Sequence, residues 1–176
     1  NPIQICIVDD HEIFRNGLKM VIGRTTSCKV IAEAVNGEDF LKQLDAISDT
    51  VDIILMDIEM PELNGIEATT RALEKYPNLK IIALTMFNED QYVESMIDAG
   101  VKGFLLKNIT KEKLEKAITT VQKGGNYYSE ELWEFFTKRI TQQQQSAKET
   151  GEEVKLTNRE KEILQLLSQG MSNKEI

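Results

Sequence analysis

The stretch Ile53-Ile54-Leu55-Met56-Asp57-Ile58-Glu59-Met60-Pro61-Glu62-Leu63-Asn64-Gly65-Ile66-Glu67 decides the fold. Four apolar residues stand together without polar alternation, as in a strand buried on both faces of a parallel sheet. The run ends on a carboxylate. Pro61 and Gly65 shape the loop after it. Asn64, three residues before Glu67, marks a helix start, with Ile66 and Leu73 as inward candidates. Moving outward, short apolar runs of the same kind recur at Ile3–Val8, 30–35, Ile81–Leu84 and Gly103–Leu106. Helical stripes lie between them: Ile13, Phe14, Gly17, Leu18, Val21 and Ile22; then Phe40, Leu41 and Leu44; then Tyr92, Val93, Met96 and Ile97; then Leu114, Ala117, Ile118 and Val121. Strands alternating with helices predict an α/β domain over residues 1–122. Its sheet is doubly wound, five-stranded and parallel.

Composition narrows the function. Residues 1–122 hold 13 Lys and Arg against 20 Asp and Glu, whereas residues 156–176 hold three of each. An acidic body does not suit phosphate backbones, so any DNA contact belongs to the tail or to residues absent from this chain. No apolar run nears the roughly 20 residues of a membrane helix, and no secretory signal is visible. Cys6 and Cys28 alone make neither a disulfide framework nor a four-ligand zinc site; they read as reduced thiols of a cytoplasmic protein. Gly124-Gly125 closes the last helix of the body. Residues 123–155 then read as a helical linker, in which Ser129 caps a helix striped with Leu132, Phe135, Phe136 and Ile140, before a polar stretch with no large apolar residue from Thr141 to Glu153.

Chemistry gathers at the strand ends, where parallel sheets bind ligands. Asp9 and Asp10 follow the first run, Asp57 the third, Thr85 the fourth and Lys107 the fifth. The second is followed by Asn36-Gly37, a plain turn. Three carboxylates brought close repel, and a divalent cation removes that cost. All-oxygen ligands suit Mg²⁺ or Mn²⁺. A carboxylate beside such a metal can attack a phosphoryl group, and an ammonium and a hydroxyl meet the transferred charge. His11, next to the acids, reads as a solvated residue at a helix start.

In this order and strand context, Asp9-Asp10, Asp57, Thr85 in Ala83-Leu84-Thr85, and Lys107 in Lys102-Gly103-Phe104-Leu105-Leu106-Lys107 resemble a bacterial response-regulator receiver domain over roughly residues 3–122. The resemblance implies a flavodoxin-like sheet in the order 2-1-3-4-5, and it implies that Asp57 accepts a phosphoryl group from a sensor histidine kinase. It implies that Asp10 and Asp57 hold Mg²⁺ through side chains, Asp9 through water and Glu59 through its backbone carbonyl. It implies that Thr85 and the Phe104 ring move together as a switch, with the phosphorylated protein forming a homodimer. The sequence departs at Asn108, where such families often carry proline. Glu59 and Phe87 flank the site and would tune water access.

The tail opens with Thr157 and Glu160 in capping-box spacing and carries an apolar stripe of Ile163, Leu166 and Leu167. Gly170 ends that helix, and Ser172 to Glu175 offers a second box. Leu156-Thr157-Asn158-Arg159-Glu160-Lys161-Glu162-Ile163-Leu164 and Gly170-Met171-Ser172-Asn173-Lys174-Glu175-Ile176 resemble the opening of a LuxR-type helix-turn-helix domain, as in NarL/FixJ-family regulators. The helix that enters the major groove would lie beyond Ile176. The expectation is therefore a phosphorylation-switched transcription factor, C-terminally truncated, with no sequence-specific DNA binding by these 176 residues. The main alternative is a Mg-dependent aspartyl-phosphate phosphatase. Asp57-Ile58-Glu59 imitates its nucleophile–acid pair only loosely, since Glu59 and Pro61 fit poorly and no lid domain is present. A flavin carrier is disfavoured because Asp9-Asp10-His11-Glu12 repels a phosphate.

Overall fold

A computed structural model describes residues 1–24, 27–86, 90–129, 161 and 165. The chain forms two compact units, Asn1–Tyr127 and Tyr128–Ile176. In the first, β1 (Ile3–Val8), α1 (Glu12–Gly23), β2 (Cys28–Ala34), α2 (Gly37–Ile47), β3 (Ile53–Asp57), α3 (Gly65–Lys75), β4 (Ile81–Thr85), α4 (Asp90–Ala99), β5 (Gly103–Leu106) and α5 (Lys111–Gln122) alternate without interruption. A short β6 (Tyr127–Tyr128) follows at the unit boundary. In the second unit Tyr128, Ser129, Lys161 and Gln165 are described, the last two helical and exposed. The linker helix after Ser129, Phe87 and the capping boxes of the tail lie outside the described residues.

The sheet order is β2-β1-β3-β4-β5-β6, with β1 to β5 paired in parallel. Five of these strands are the expected ones; β6 is an addition. The Tyr127 amide donates to the Lys102 carbonyl at 3.0 Å just ahead of β5, a pairing the dipeptide Tyr127-Tyr128 is too short to announce by periodicity.

Alternation along the strands sorts side chains between the two faces. On one, Ile5, Ile7, Ile53, Leu55, Ile82, Leu84 and Leu105 pack with Leu18 and Ile22 of α1 and with Leu114, Ala117, Ile118 and Val121 of α5. Cys6, Val8, Ile54, Met56, Ile81, Ala83 and Phe104 are buried too and alternate with them. Both faces are thus dry, which explains the continuous apolar runs. Two expected stripes are corrected. Ile13 is 89% exposed, because α1 turns Leu18 and Ile22 inward and leaves residue 13 on the outer side. The buried face of α3 is Gly65, Ala68, Thr69 and Ala72, while Ile66 and Leu73 are half-buried. Small residues let α3 lie close.

Two glycines fix the rim of the sheet. A Cβ on Gly65 would lie 1.9 Å from the Asp57 carbonyl oxygen, and one on Gly37 would lie 2.5 Å from the Leu63 carbonyl oxygen. The Gly65 amide donates to the Ile58 carbonyl at 2.8 Å, so the loop after Asp57 folds back on itself. Gly65→Ala should therefore force the Asp57 loop to move. We expect a stability loss of about 3 kcal/mol or more by urea unfolding, in the class of overpacking against fixed backbone. A loss below about 0.5 kcal/mol, the range of an unremarkable surface change, would show that the loop yields freely.

Candidate functional site

The strand ends meet as the alternation demands. β1 is in register with β3 up to Val8↔Met56, β3 with β4 at Asp57↔Leu84, and β4 with β5 at Thr85↔Leu106. Asp9, Asp57, Thr85 and Lys107 are thereby carried to one edge. Asp9 is fully buried and Asp57 is 1% exposed, while Asp10 is half-buried. The Lys107 ammonium sits between two of the acids, 2.9 Å from Asp9 Oδ2 and 2.7 Å from Asp57 Oδ2. It also lies 5.1 Å from the centre of the Phe14 ring on α1, in cation–π range. Ligand atoms of Asp9, Asp10, His11 and Asp57 all lie within 4.8 Å of one another.

Burial dominates the electrostatics. The Asp57 carboxyl is pushed up to about 7, first by desolvation and further by the charges of Asp9 and Asp10, with Lys107 opposing. For Lys107, burial acts to lower the pKa, but hydrogen bonds and charge from Asp57 and Asp9 outweigh it and hold the ammonium above its usual range. Away from the site, burial pushes the Cys6 thiol up to about 12; Cys6 and Cys28 are both free thiols.

Each remaining residue has a definite place. The Thr85 hydroxyl donates to the Met86 carbonyl at 3.1 Å. By alternation Thr85 shares the sheet face of Ala83 and of fully buried Phe104, opposite to Asp57 and Lys107. Glu59 is exposed on the loop after Asp57. His11 is solvated, as expected for a helix start, yet its Nδ1 lies 3.0 Å from Asp10 Oδ1 and 3.4 Å from Asp9 Oδ1. Asn36-Gly37 is more than a turn. Asn36 caps α2 by accepting from the Asp39 amide at 2.8 Å, and its amide donates to Glu62 Oε2 at 2.7 Å. That bond ties the end of β2 to the loop after Asp57. A cavity of about 620 Å³ opens over the acids, lined among others by Asp10, Asp57, Ile58, Met60, Met86, Tyr92 and Lys107.

The donor set fits a hard divalent cation. Asp9 Oδ2 and Asp57 Oδ2 are buried, and the one Lys107 ammonium is shared between these two carboxylates. Carboxylate oxygens with room for water are what Mg²⁺ prefers.

A doubly wound sheet with an acid cluster and a lysine at its carboxyl edge defines a receiver. Comparison with known proteins agrees: the response regulator receiver domain matches residues 5–119, and the luxR family of bacterial regulatory proteins matches residues 154–176. The chain belongs to the NarL/FixJ family of two-component response regulators, which control transcription; receiver domains generally bind Mg²⁺ at the acidic pocket. It is 34% identical to the transcriptional regulatory protein DegU of Brevibacillus brevis, over all of this chain and 79% of that one. Among solved structures it resembles a LuxR-family response regulator from an Aurantimonas species, with a TM-score of 0.72 at 26% identity over 80% of this chain and 99% of that one. It also resembles the isolated receiver domain of RcsB from Salmonella enterica serovar Typhimurium, with a TM-score of 0.69 at 25% identity over 77% and 99% of the two chains; that structure was obtained in the presence of the phosphomimetic BeF3⁻. Among the described residues no helix is long and apolar enough to cross a membrane.

Proposed function

We propose that Asp57 is the phosphoacceptor of this regulator and that the receiver performs the transfer on itself. The observation that carries the reading is the shared ammonium: Lys107 bridges Asp9 and Asp57 at the floor of an open cavity. An Asp57 carboxylate oxygen attacks the phosphorus of a phosphohistidine on the kinase. The phosphorus–nitrogen bond breaks, its electron pair returns to the imidazole, and an acyl phosphate forms. Asp10 and Asp57 would hold Mg²⁺ directly, with Asp9 acting through water and Glu59 through its carbonyl. When bound, Mg²⁺ supplies positive charge to the transferring phosphoryl oxygens. Lys107 stays within reach of Asp57 and meets the same charge from the protein side.

Phosphorylation adds about -1.5 to -2 charges at Asp57. The Thr85 hydroxyl then has a stronger acceptor than the Met86 carbonyl. A turn of Thr85 toward the phosphoryl group vacates space on the face it shares with Phe104, and the Phe104 ring follows. The surface of β4, α4 and β5 changes with it, and dimerisation or release of the DNA-binding part reads that change. Slow hydrolysis of the acyl phosphate resets the switch. The partners on this reading are a sensor histidine kinase, a second copy after phosphorylation, and DNA through a complete LuxR-type domain. That RcsB was studied with a phosphomimetic supports the reading by kinship.

The test is incubation with acetyl phosphate and Mg²⁺, followed by borohydride reduction and peptide mapping. The label should fall on Asp57; a label on Asp9, Asp10 or His11 would refute the assignment. Mg²⁺ affinity should also depend on pH. Protons and cation compete for a carboxyl titrating at about 7, so calorimetric affinity should fall by roughly tenfold for each unit below that value. An affinity unchanged between pH 8 and pH 5.5 would count against Asp57 as a ligand.

A further inference from the structure

We infer that Arg15 is a positioning residue for the cation site, holding the peptide that links Asp9 to Asp10. The side chain rises from α1 and is 13% exposed. Its Nη1 donates to the Asp9 carbonyl at 2.7 Å. From the other side, Nε lies 3.7 Å from Glu33 Oε2 on β2, and Lys19 Nζ holds the second oxygen of Glu33 at 3.0 Å. The guanidinium is therefore hydrogen-bonded to the Asp9 carbonyl through Nη1, while its buried Nε lies beside the Glu33 carboxylate at ion-pair distance without a hydrogen bond.

What it fixes matters because the peptide bond is planar. The Asp9 carbonyl and the Asp10 nitrogen share one plane, so a clamp on that oxygen orients the bond from which Asp10 departs. The other groups of Asp9 are already tied: its amide donates to the Ala34 carbonyl at 3.1 Å, and its Oδ1 accepts from the His11 amide at 2.8 Å. Arg15 completes the set. Among the described residues no backbone amide from a neighbouring strand is seen to donate to that carbonyl, which lies one residue beyond the end of β1 at Val8.

Charge argues the opposite way from geometry, and this makes the inference testable. A guanidinium beside a site that must attract a cation opposes binding by simple Coulomb repulsion. If Arg15 acted only as a charge, removing it would tighten Mg²⁺ binding. If it positions the turn, removing it loosens binding despite the gain in local negative potential. The inference rests on the proposed Mg²⁺ site at these acids.

Mg²⁺ alone should be titrated calorimetrically into the full chain and into Arg15→Met and Arg15→Lys, with thermal midpoints recorded in chelator. Met keeps the stem and loses the fork. It should weaken Mg²⁺ binding by about tenfold in protein that is still folded. Lys keeps the charge but cannot span Asp9 and Glu33 together. It should weaken binding by about threefold, a change that charge alone does not produce. Unchanged or tighter binding in the lysine variant overturns the inference, even if the methionine variant fails to fold. A lower thermal midpoint with unaltered affinity would show a purely structural role and overturn it as well. Failure of the unaltered chain to bind Mg²⁺ would instead overturn the reading of the site itself.

Discussion

Lys107→Met is expected to destabilise the metal-free protein by about 3–5 kcal/mol, the cost of leaving buried charges without their partner. The Lys107 side chain is 7% exposed, and its ammonium lies within 3 Å of both Asp9 and Asp57. Methionine is close to lysine in length and apolar bulk, so the loss reports mainly on the charge. Excess Mg²⁺ should restore most of the stability, because a bound dication neutralises the same two carboxylates. Urea unfolding at pH 8 in chelator and again in magnesium chloride measures both effects. An equal loss in the two conditions would mean that Lys107 stabilises the fold by packing and has no part in balancing the acids.

Asp57→Asn should have two opposite effects. Phosphoryl uptake from acetyl phosphate should fall below detection, since the amide nitrogen and carbonyl of Asn are poor nucleophiles. At the same time the metal-free protein should become more stable at pH 8, by an amount of the order of 2 kcal/mol. The direction follows from linkage. The folded carboxyl titrates at about 7, above its ordinary value of 3.8, so the native state binds the proton more tightly than the unfolded chain does. That preference stabilises the native state below the unfolded value and is lost as pH rises through about 7. The unaltered protein should accordingly gain stability relative to Asp57→Asn on going from pH 8 to pH 5. Destabilisation by Asp57→Asn at pH 8 in chelator would show that the pairing with Lys107 outweighs the repulsion among the acids.

The parts of this molecule legible in its sequence are those governed by local periodicity. Ile53–Met56 and Ile81–Leu84 are unbroken because both sheet faces are covered, and strand ends of a parallel sheet must share an edge. Asp9, Asp57 and Lys107 could therefore be brought together before any coordinates. The stripe of α5, Leu114 to Val121, was legible for the same reason. Ile13 misled because a helix that packs by one edge leaves part of an apolar stripe outside, and periodicity alone does not say which part. Ala68, Thr69 and Ala72 were missed because small residues carry little hydrophobic signal, although smallness is what close packing of α3 requires. Arg15 and the Asn36–Glu62 bond were out of reach for a different reason. Each joins residues remote in sequence, six and 26 positions apart, through polar contacts that leave no period. The turn of the Thr85 hydroxyl toward Met86 is a rotamer, which no spacing encodes.

On the proposed reading, these acids, the lysine and a divalent cation form one seat for a phosphoryl group on Asp57. Calorimetric titration of beryllofluoride into the chain, with and without Mg²⁺, tests it most directly. Saturable, stoichiometric binding that requires Mg²⁺ and disappears in Asp57→Asn is expected. Binding that is indifferent to Mg²⁺, or that survives the loss of the Asp57 carboxylate, would contradict it.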